Sequence, residues 1–242
     1  YNRIAVNPDR GDRENVFKSY QLDPDPHGSI KFQLQEMPKF FADNGRGPKE
    51  PHIHTFYQII WFRRGHGSHF VDFKEYPVTD NTLFFLSPGQ VHYFEENDDF
   101  EGYVIHFNED FMSDEGSSEN VFLKYNLFNA FDAVPYYNMT EADTERLEYI
   151  VSEMKAELEN ETVFAHGDVL KYLIKLFLIH VQRLGIRGTG IPLCINNSSN
   201  RTFVRFRQML EHHYRDIHTV KEYASMLNVS TKTLTNCVYE GS

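Results

Sequence analysis

Cysteine is scarce in this chain: two residues in 242, Cys194 and Cys237. Neither has a partner at metal-ligand spacing, which excludes a zinc-finger module and a disulfide-stapled secreted scaffold. Long hydrophobic runs are also missing. No apolar stretch approaches 18 residues, so no membrane-spanning helix is expected, and no signal peptide is visible. The first residue is Tyr1 and not Met, which implies a trimmed N-terminus. Free thiols and the lack of a leader suit a reducing cytoplasm. Positive charge is short too: 24 Lys and Arg stand against 35 Asp and Glu, a net charge of −11. That excludes a chain coated in basic residues for indiscriminate nucleic-acid binding.

What is present suits buried cores. Hydrophobic residues make up 40% and aromatic residues 15%, which excludes disorder. The length allows one large or two ordinary domains. Charge is unevenly spread. Residues 200–242 carry six basic side chains against four acidic ones, leaving the remainder at −13. An acidic body with a mildly basic tail fits a protein that touches DNA at one end only.

The tail holds the most regular pattern. Apolar residues at Val220, Tyr223, Ala224 and Leu227 have helical spacing. Asn228-Val229 breaks it, and Ser230 is a good N-cap for a second helix through Val238. Leu234 and Val238 are its expected inward residues. Thr231, Lys232, Thr235 and Asn236 fall on the other side. A short helix, a three-residue turn and a polar second helix make a helix-turn-helix, whose second helix fits the DNA major groove. On spacing alone, a plain surface αα-hairpin is an equal reading.

Upstream, turn formers dominate residues 1–50, with short strands at Val16-Phe17 and Ile30–Leu34. Pro51 to Phe62 reads as one long strand, too aromatic and β-branched for a helix. Returning strands follow at Ser68–Phe73, Thr82–Leu86 and Gly102–Phe107. Many short strands at such intervals suggest an all-β barrel or sandwich. Alternation puts His52, His54, Phe56, Gln58, Ile60 and Phe62 on one face. Residues 111–139 read as a connector with a short helix near Phe122–Phe131. Thr140 with Asp143 resembles a capping box. Leu147, Ile150, Val151, Met154 and Leu158 then form a helical stripe. A second helix over Val169–Val181, ending at Gly185, is apolar nearly all round. It is either packed on two sides within one chain or shared between chains. Ile186–Asn200 is the clearest linker. Arg201–Tyr214 is a further helix with Phe203, Phe206, Leu210 and Tyr214 on one stripe.

Two sets of residues carry a resemblance. Ala224, Leu227, Val229, Ser230 and Leu234 match the first helix-turn-helix of AraC-type transcription regulators. His52-x-His54, Gln58 in place of an acid, Gly65, and Pro88-Gly89 with His92 resemble the two motifs of a cupin barrel, the usual sensor of that family. The resemblance implies an α+β chain: a cupin-like β-barrel at 1–139, a helical dimerisation hairpin at 140–185, a linker at 186–200 and an all-α helix-turn-helix segment at 201–242. It also implies a ligand-responsive DNA-binding regulator, cytoplasmic and homodimeric, not an enzyme and without a cofactor. The family has a second helix-turn-helix some tens of residues beyond Ser242, so this chain should bind DNA poorly by itself.

Expected effector contacts are His52, His54, Phe56, Gln58, Phe62 and His92, a mix of apolar walls and hydrogen-bonding groups. Phe84 or Phe85 joins those walls. That mix suits a small neutral or anionic polar molecule, such as a sugar or sugar acid. Three histidines at His52, His54 and His92 also fit a divalent metal, and a cupin metalloenzyme (oxygenase or isomerase) is the alternative reading. Gln58 would supply no charge to such a site. Simple core histidines are a third account. Expected DNA contacts are Ser230, Thr231, Lys232, Thr235 and Asn236 on operator DNA.

Overall fold

The computed structural model describes residues 5–6, 17–22, 31–95, 99–113, 127–128, 136–160, 162–189, 202–203, 205–206, 209–210 and 213–241. In chain order the strands are β1 (Ala5–Val6), β2 (Lys18–Gln21), β3 (Phe32–Glu36), β4 (His52–His54), β5 (Tyr57–Arg64), β6 (Gly67–Val71), β7 (Lys74–Val78), β8 (Thr82–Leu86), β9 (His92–Phe94), β10 (Glu101–Phe107) and β11 (Tyr136–Asn138). Helices α1 (Met37–Asn44) and α2 (Glu109–Met112) lie among them. Then come α3 (Glu141–Leu158), α4 (His166–Thr189), α5 (Val220–Met226) and α6 (Thr231–Gly241).

The expected α+β class holds. The strands form two sheets, ordered β1-β2-β4-β9-β6-β7 and β11-β8-β5-β10-β3. Pairing is antiparallel throughout except between β2 and β4. The layout is cupin-like, but among the described residues no ladder joins the two sheets, so the expected barrel is not closed. The long strand expected over 51–62 is also corrected. It bends at Thr55-Phe56, and its halves, β4 and β5, belong to different sheets.

β5 is buried on both faces, as its continuous apolar run requires. Ile60 and Phe62 meet Val71, Val78, Phe84, Phe94 and Phe100, which fills the space between the sheets. Tyr57, Ile59 and Trp61 face the other way, onto Leu147, Ile150, Val151 and Met154 of α3 and Ile174, Phe177 and Val181 of α4. Side chains of this size each contribute about 1.5–3 kcal/mol on burial. The two helices are therefore cemented to the sheet. Gly102 shows how closely β10 lies on β5: a Cβ there would sit 1.8 Å from the Trp61 carbonyl oxygen, at a bulge in the pairing.

Arg63 fastens the β5 end to α3. Its guanidinium bonds to Glu148 and to the Asn81 side chain, with Glu141 3.7 Å away. The helical stripe of α3 is as expected, with Leu147, Ile150, Val151 and Met154 buried and Leu158 partly so. The capping box is only half made: Thr140 Oγ1 donates to Asp143 Oδ2 at 2.6 Å and caps no backbone amide. α4 runs past Gly185 to Thr189, four residues into the expected linker. Residues 190–200 and most of the 111–139 connector, including Phe122, lie outside the described residues.

α5 and α6 pack through Tyr223, Ala224, Leu227 and Leu234, with Phe206, Met209, Ile217, Val229 and Val238 against them. Val220, Leu210 and Tyr214 are exposed, against expectation; Met209 takes the inward place given to Leu210. Asn228 has φ 53°, and Val229 N donates to Ala224 O while Asn228 N donates to Ser225 O. That is a Schellman stop, with Asn in the left-handed position that glycine usually fills.

Candidate functional site

β4 is short because it has two jobs. It pairs in parallel with β2 and, at His52 opposite His92, with β9. The bend at Thr55-Phe56 then carries the chain into the other sheet. His52, His54, Phe56 and Gln58 nonetheless line one pocket, joined by His106 from β10 and Tyr20 from β2. Phe40 and Asn44 of α1 and Pro48 close it from the helical side. Its enclosed volume is ≈ 20 Å³, enough for one water-sized occupant.

Two expected site residues stand elsewhere. Phe62 is fully buried in the core between the sheets, stacked edge-on to Phe84 and Phe100, and does not reach the pocket. Two steps past Gln58, its parity is right but its depth is wrong. Phe84 shares that core, and Phe85 faces the helices. His92 lies behind the pocket: its ring centroid is 4.2 Å from His52 and 5.0 Å from His54.

The sequence reading missed His69 and His106. His69 Nε2 is 3.1 Å from His92 Nδ1. His106 is 1% exposed, and its ring is 4.7 Å from that of Phe56. Five histidines thus share one buried region. Burial holds His54 and His69 down to about 3, with neighbouring histidine charge adding to the effect. His52, His92 and His106 are pushed down for the same first reason, the last two well below the usual histidine range. All five are neutral near pH 7.

Backbone carbonyls fix two of the tautomers. His52 Nδ1 is 2.8 Å from Glu50 O, and His54 Nδ1 is 2.6 Å from Phe56 O. A carbonyl only accepts, so each Nδ1 carries the proton and each Nε2 is a bare lone pair. Among the described residues His54 Nε2, His92 Nε2 and both nitrogens of His106 have no hydrogen-bonding partner. No three His, Cys, Asp or Glu side chains among the described residues stand in metal-binding geometry, His52, His54 and His92 included.

At the other end of the chain, Thr231, Lys232, Thr235 and Asn236 are all exposed on α6. Ser230 is the expected N-cap: its Oγ accepts from Thr233 N at 3.0 Å, so that oxygen is already engaged. Thr235 Oγ1 donates back to Thr231 O at 2.9 Å. The inward pair Leu234 and Val238 packs as expected, Val238 half-buried, and Cys237 is buried beside them at 2% exposure. Tyr239, 86% exposed, extends the outer ridge by a turn.

The comparisons decide the family. The AraC-like ligand binding domain matches residues 43–173, more than half of the chain. The chain belongs to that family. The match spans the pocket strands β4, β5 and β10, the Arg63 clasp and the first part of α4. Solved structures similar in outline include apo ToxT from Vibrio cholerae strain SCE256 carrying a lysine-to-alanine substitution, at TM-score 0.40 and 11% identity, covering 86% of this chain and 79% of that one. Wild-type ToxT from the same strain, bound to unsaturated fatty acid, gives 0.43 and 11%, with 86% and 73% covered. The AraC-like transcriptional activator CuxR gives 0.33 and 11%, with 87% and 68% covered. A search of characterised protein sequences finds no match. No described helix is long and apolar enough to cross a membrane.

Proposed function

We propose that this chain is a cytoplasmic, ligand-responsive transcription regulator, with an effector bound in the His52–His54–Phe56–Gln58 pocket and DNA read by α6. The observation that carries the reading is the pocket itself: buried ring nitrogens without partners among the described residues, inside an AraC-like ligand binding domain. Groups of that kind cost free energy until something pairs with them. An effector larger than water enters only if a wall moves, and the α1 side, with Phe40, Asn44 and Pro48, is the wall made of a short helix and a turn. Effector binding then favours the opened form by its differential affinity, which is how a ligand biases a second site. The effector is a small polar molecule of the sugar or sugar-acid kind. A thermal-shift screen tests this: a true ligand at 100 times its dissociation constant stabilises by about 2.7 kcal/mol. Hits that persist when His54 and Gln58 are both Ala place the effector elsewhere.

On α6, Lys232 and Asn236 are exposed polar groups, and Asn236 is of the type able to pair bidentately with adenine. Thr235, its hydroxyl turned back to the helix, offers its methyl group. In a version carrying a whole DNA-binding domain, Asn236→Ala costs about 1–3 kcal/mol of operator binding and relaxes one position. Unchanged operator affinity on replacing Lys232, Thr235 and Asn236 together by Ala removes α6 from the reading surface. Dimerisation through α3 and α4 completes the proposal, resting on the apolar side chains Tyr149, Tyr172 and Leu176 left exposed there.

A further inference from the structure

From the pocket a polar row runs on across the sheet, Gln58 and His106 lining the pocket and Gln33 lying next beyond His106. His106 on β10 is directly opposite Gln58 on β5 and Gln33 on β3. Residues directly opposite in antiparallel strands share a face. Gln33, His106 and Gln58 therefore form one polar row across three strands, each at most 4% exposed. Both amide atoms of Gln33 and both ring nitrogens of His106 have no partner among the described residues. An amide and a neutral imidazole each offer a donor and an acceptor. The carbonyl-locked His54 turns its Nε2 acceptor toward the row, beside Gln58.

We propose that this row is the specificity-determining floor of the effector site, and that it selects an uncharged ligand bearing hydroxyl or amide groups over a carboxylate. The inference rests on the pocket being the effector site. A hydroxyl or amide both donates and accepts, so it pairs with either half of Gln33 and His106 and donates to His54 Nε2. A carboxylate only accepts, which leaves that lone pair facing another. No lining side chain carries a formal charge to offset a buried anion. Phe56, stacked 4.5 Å from His54, gives the ligand an apolar face to lie on. Of the sugar and sugar-acid alternatives, the row selects the sugar-like one and extends it to neutral amides.

The test uses matched pairs on the whole chain: glucose with gluconate, myo-inositol with glucuronate, and nicotinamide with nicotinate. At least one uncharged member should raise the melting temperature and bind at least tenfold more tightly than its acid. His106→Phe with Gln33→Leu should abolish that binding. The doubly substituted apo protein should melt no lower than wild type, because apolar groups of similar shape replace unpaired ones. Imidazole nitrogen chemical shifts should show His54 protonated at Nδ1. The inference is overturned by stronger binding of the acids, by no shift from any uncharged member, or by a His54 proton on Nε2. It is equally overturned by a clear loss of apo stability in the double variant, which marks the row as structural. If an uncharged probe binds wild type and the His54→Ala/Gln58→Ala variant alike, the pocket assignment fails instead.

Discussion

The two faces of β5 have opposite chemistry. Toward the helices, Tyr57, Ile59 and Trp61 pack on the apolar stripes of α3 and α4, with the Arg63 guanidinium 5.2 Å from the Trp61 ring. On the other face, Phe62 and Ile60 are buried among apolar side chains, but Gln58, one step further along, begins the polar row and the histidine pocket. One strand thus anchors the fold on one side and presents chemistry on the other. The anchor has its hydrogen bonds in the sheet and its side chains in close packing. Among the described residues the pocket side holds most of the buried polar atoms that packing leaves unpaired, and the anchor side holds one, Trp61 Nε1. Stability should therefore be lost by small changes on the helical face and be insensitive to, or improved by, apolar changes on the row.

The largest effect tests the helical face. Phe177 is fully buried, its ring 6.1 Å from Trp61. Phe177→Ala should cost about 3–5 kcal/mol through lost burial and a cavity, measured by urea unfolding. A loss below about 1 kcal/mol would mean that α4 is not cemented to the sheet. Of the two readings that the sequence leaves open for this helix, packing within one chain holds at Phe177. A helix that is apolar all round does not announce which of its sides its own sheet will take.

The next effect belongs to the pocket side. Histidines held neutral bind fewer protons in the folded state than in the unfolded one. Each such residue contributes stability that is complete above the unfolded value of 6.5 and is lost as pH falls from there toward the folded value, about 3 for His54 and His69. The slope is about 1.4 kcal/mol per pH unit for each independently neutral histidine. Stability should fall steadily between pH 6.5 and 4, with a smaller slope in His106→Phe. A flat profile over that range would show the histidines protonated and paired in the fold.

Much of this layout is legible from residue order. The stripe Leu147–Met154 shows its inward face by helical period, and α5–α6 by spacing plus the Ser230 cap. The β5 run showed that it is covered on both sides. What is not legible is pairing between distant strands. Nothing local tells that His106 stands opposite both Gln33 and Gln58, since one residue of slip would turn His106 to the other face. The bend at Thr55-Phe56 has no glycine or proline to mark it. Cys237 and Val238, three and four residues after Leu234, are both allowed by helical spacing; Val238 packs on the α5–α6 cluster, and the burial of Cys237 was not foreseen. Motif likeness found His52, His54 and His92, yet His69 sits outside any motif and was missed.

A smaller effect lies where the two faces are joined. Arg63 is 20% exposed and ties the end of β5 to Glu148 on α3 and to Asn81. Glu148 is 43% exposed and rehydrates when released, so Arg63→Met should cost about 1–2 kcal/mol and no more. Denaturation at raised salt separates the parts: the charge contribution shrinks with screening, and the hydrogen bond to Asn81 does not. A loss that disappears wholly in salt would leave Asn81 without a share.

The smallest effect on stability carries the most information about assembly. On α4 the side opposite Phe177 leaves Tyr172 66% and Leu176 42% exposed, and Tyr149 of α3 is 65% exposed. Tyr172 and Leu176 are four residues apart, so they share one stripe of the helix. Exposed positions tolerate substitution within about 0.5 kcal/mol. Tyr172→Glu with Leu176→Glu should therefore leave the unfolding curve of a monomer almost unmoved. If this stripe is where two chains meet, the same pair of charges desolvates badly against its own copy and the dimer dissociates. Sedimentation of wild type and variant distinguishes the cases: a mass falling from dimer to monomer with unchanged unfolding assigns the outer face of α4 to assembly. A wild type that sediments as a monomer at all concentrations, or a variant that stays dimeric, takes the stripe out of the interface. A variant that unfolds instead would show that this side, like that of Phe177, belongs to the core of one chain.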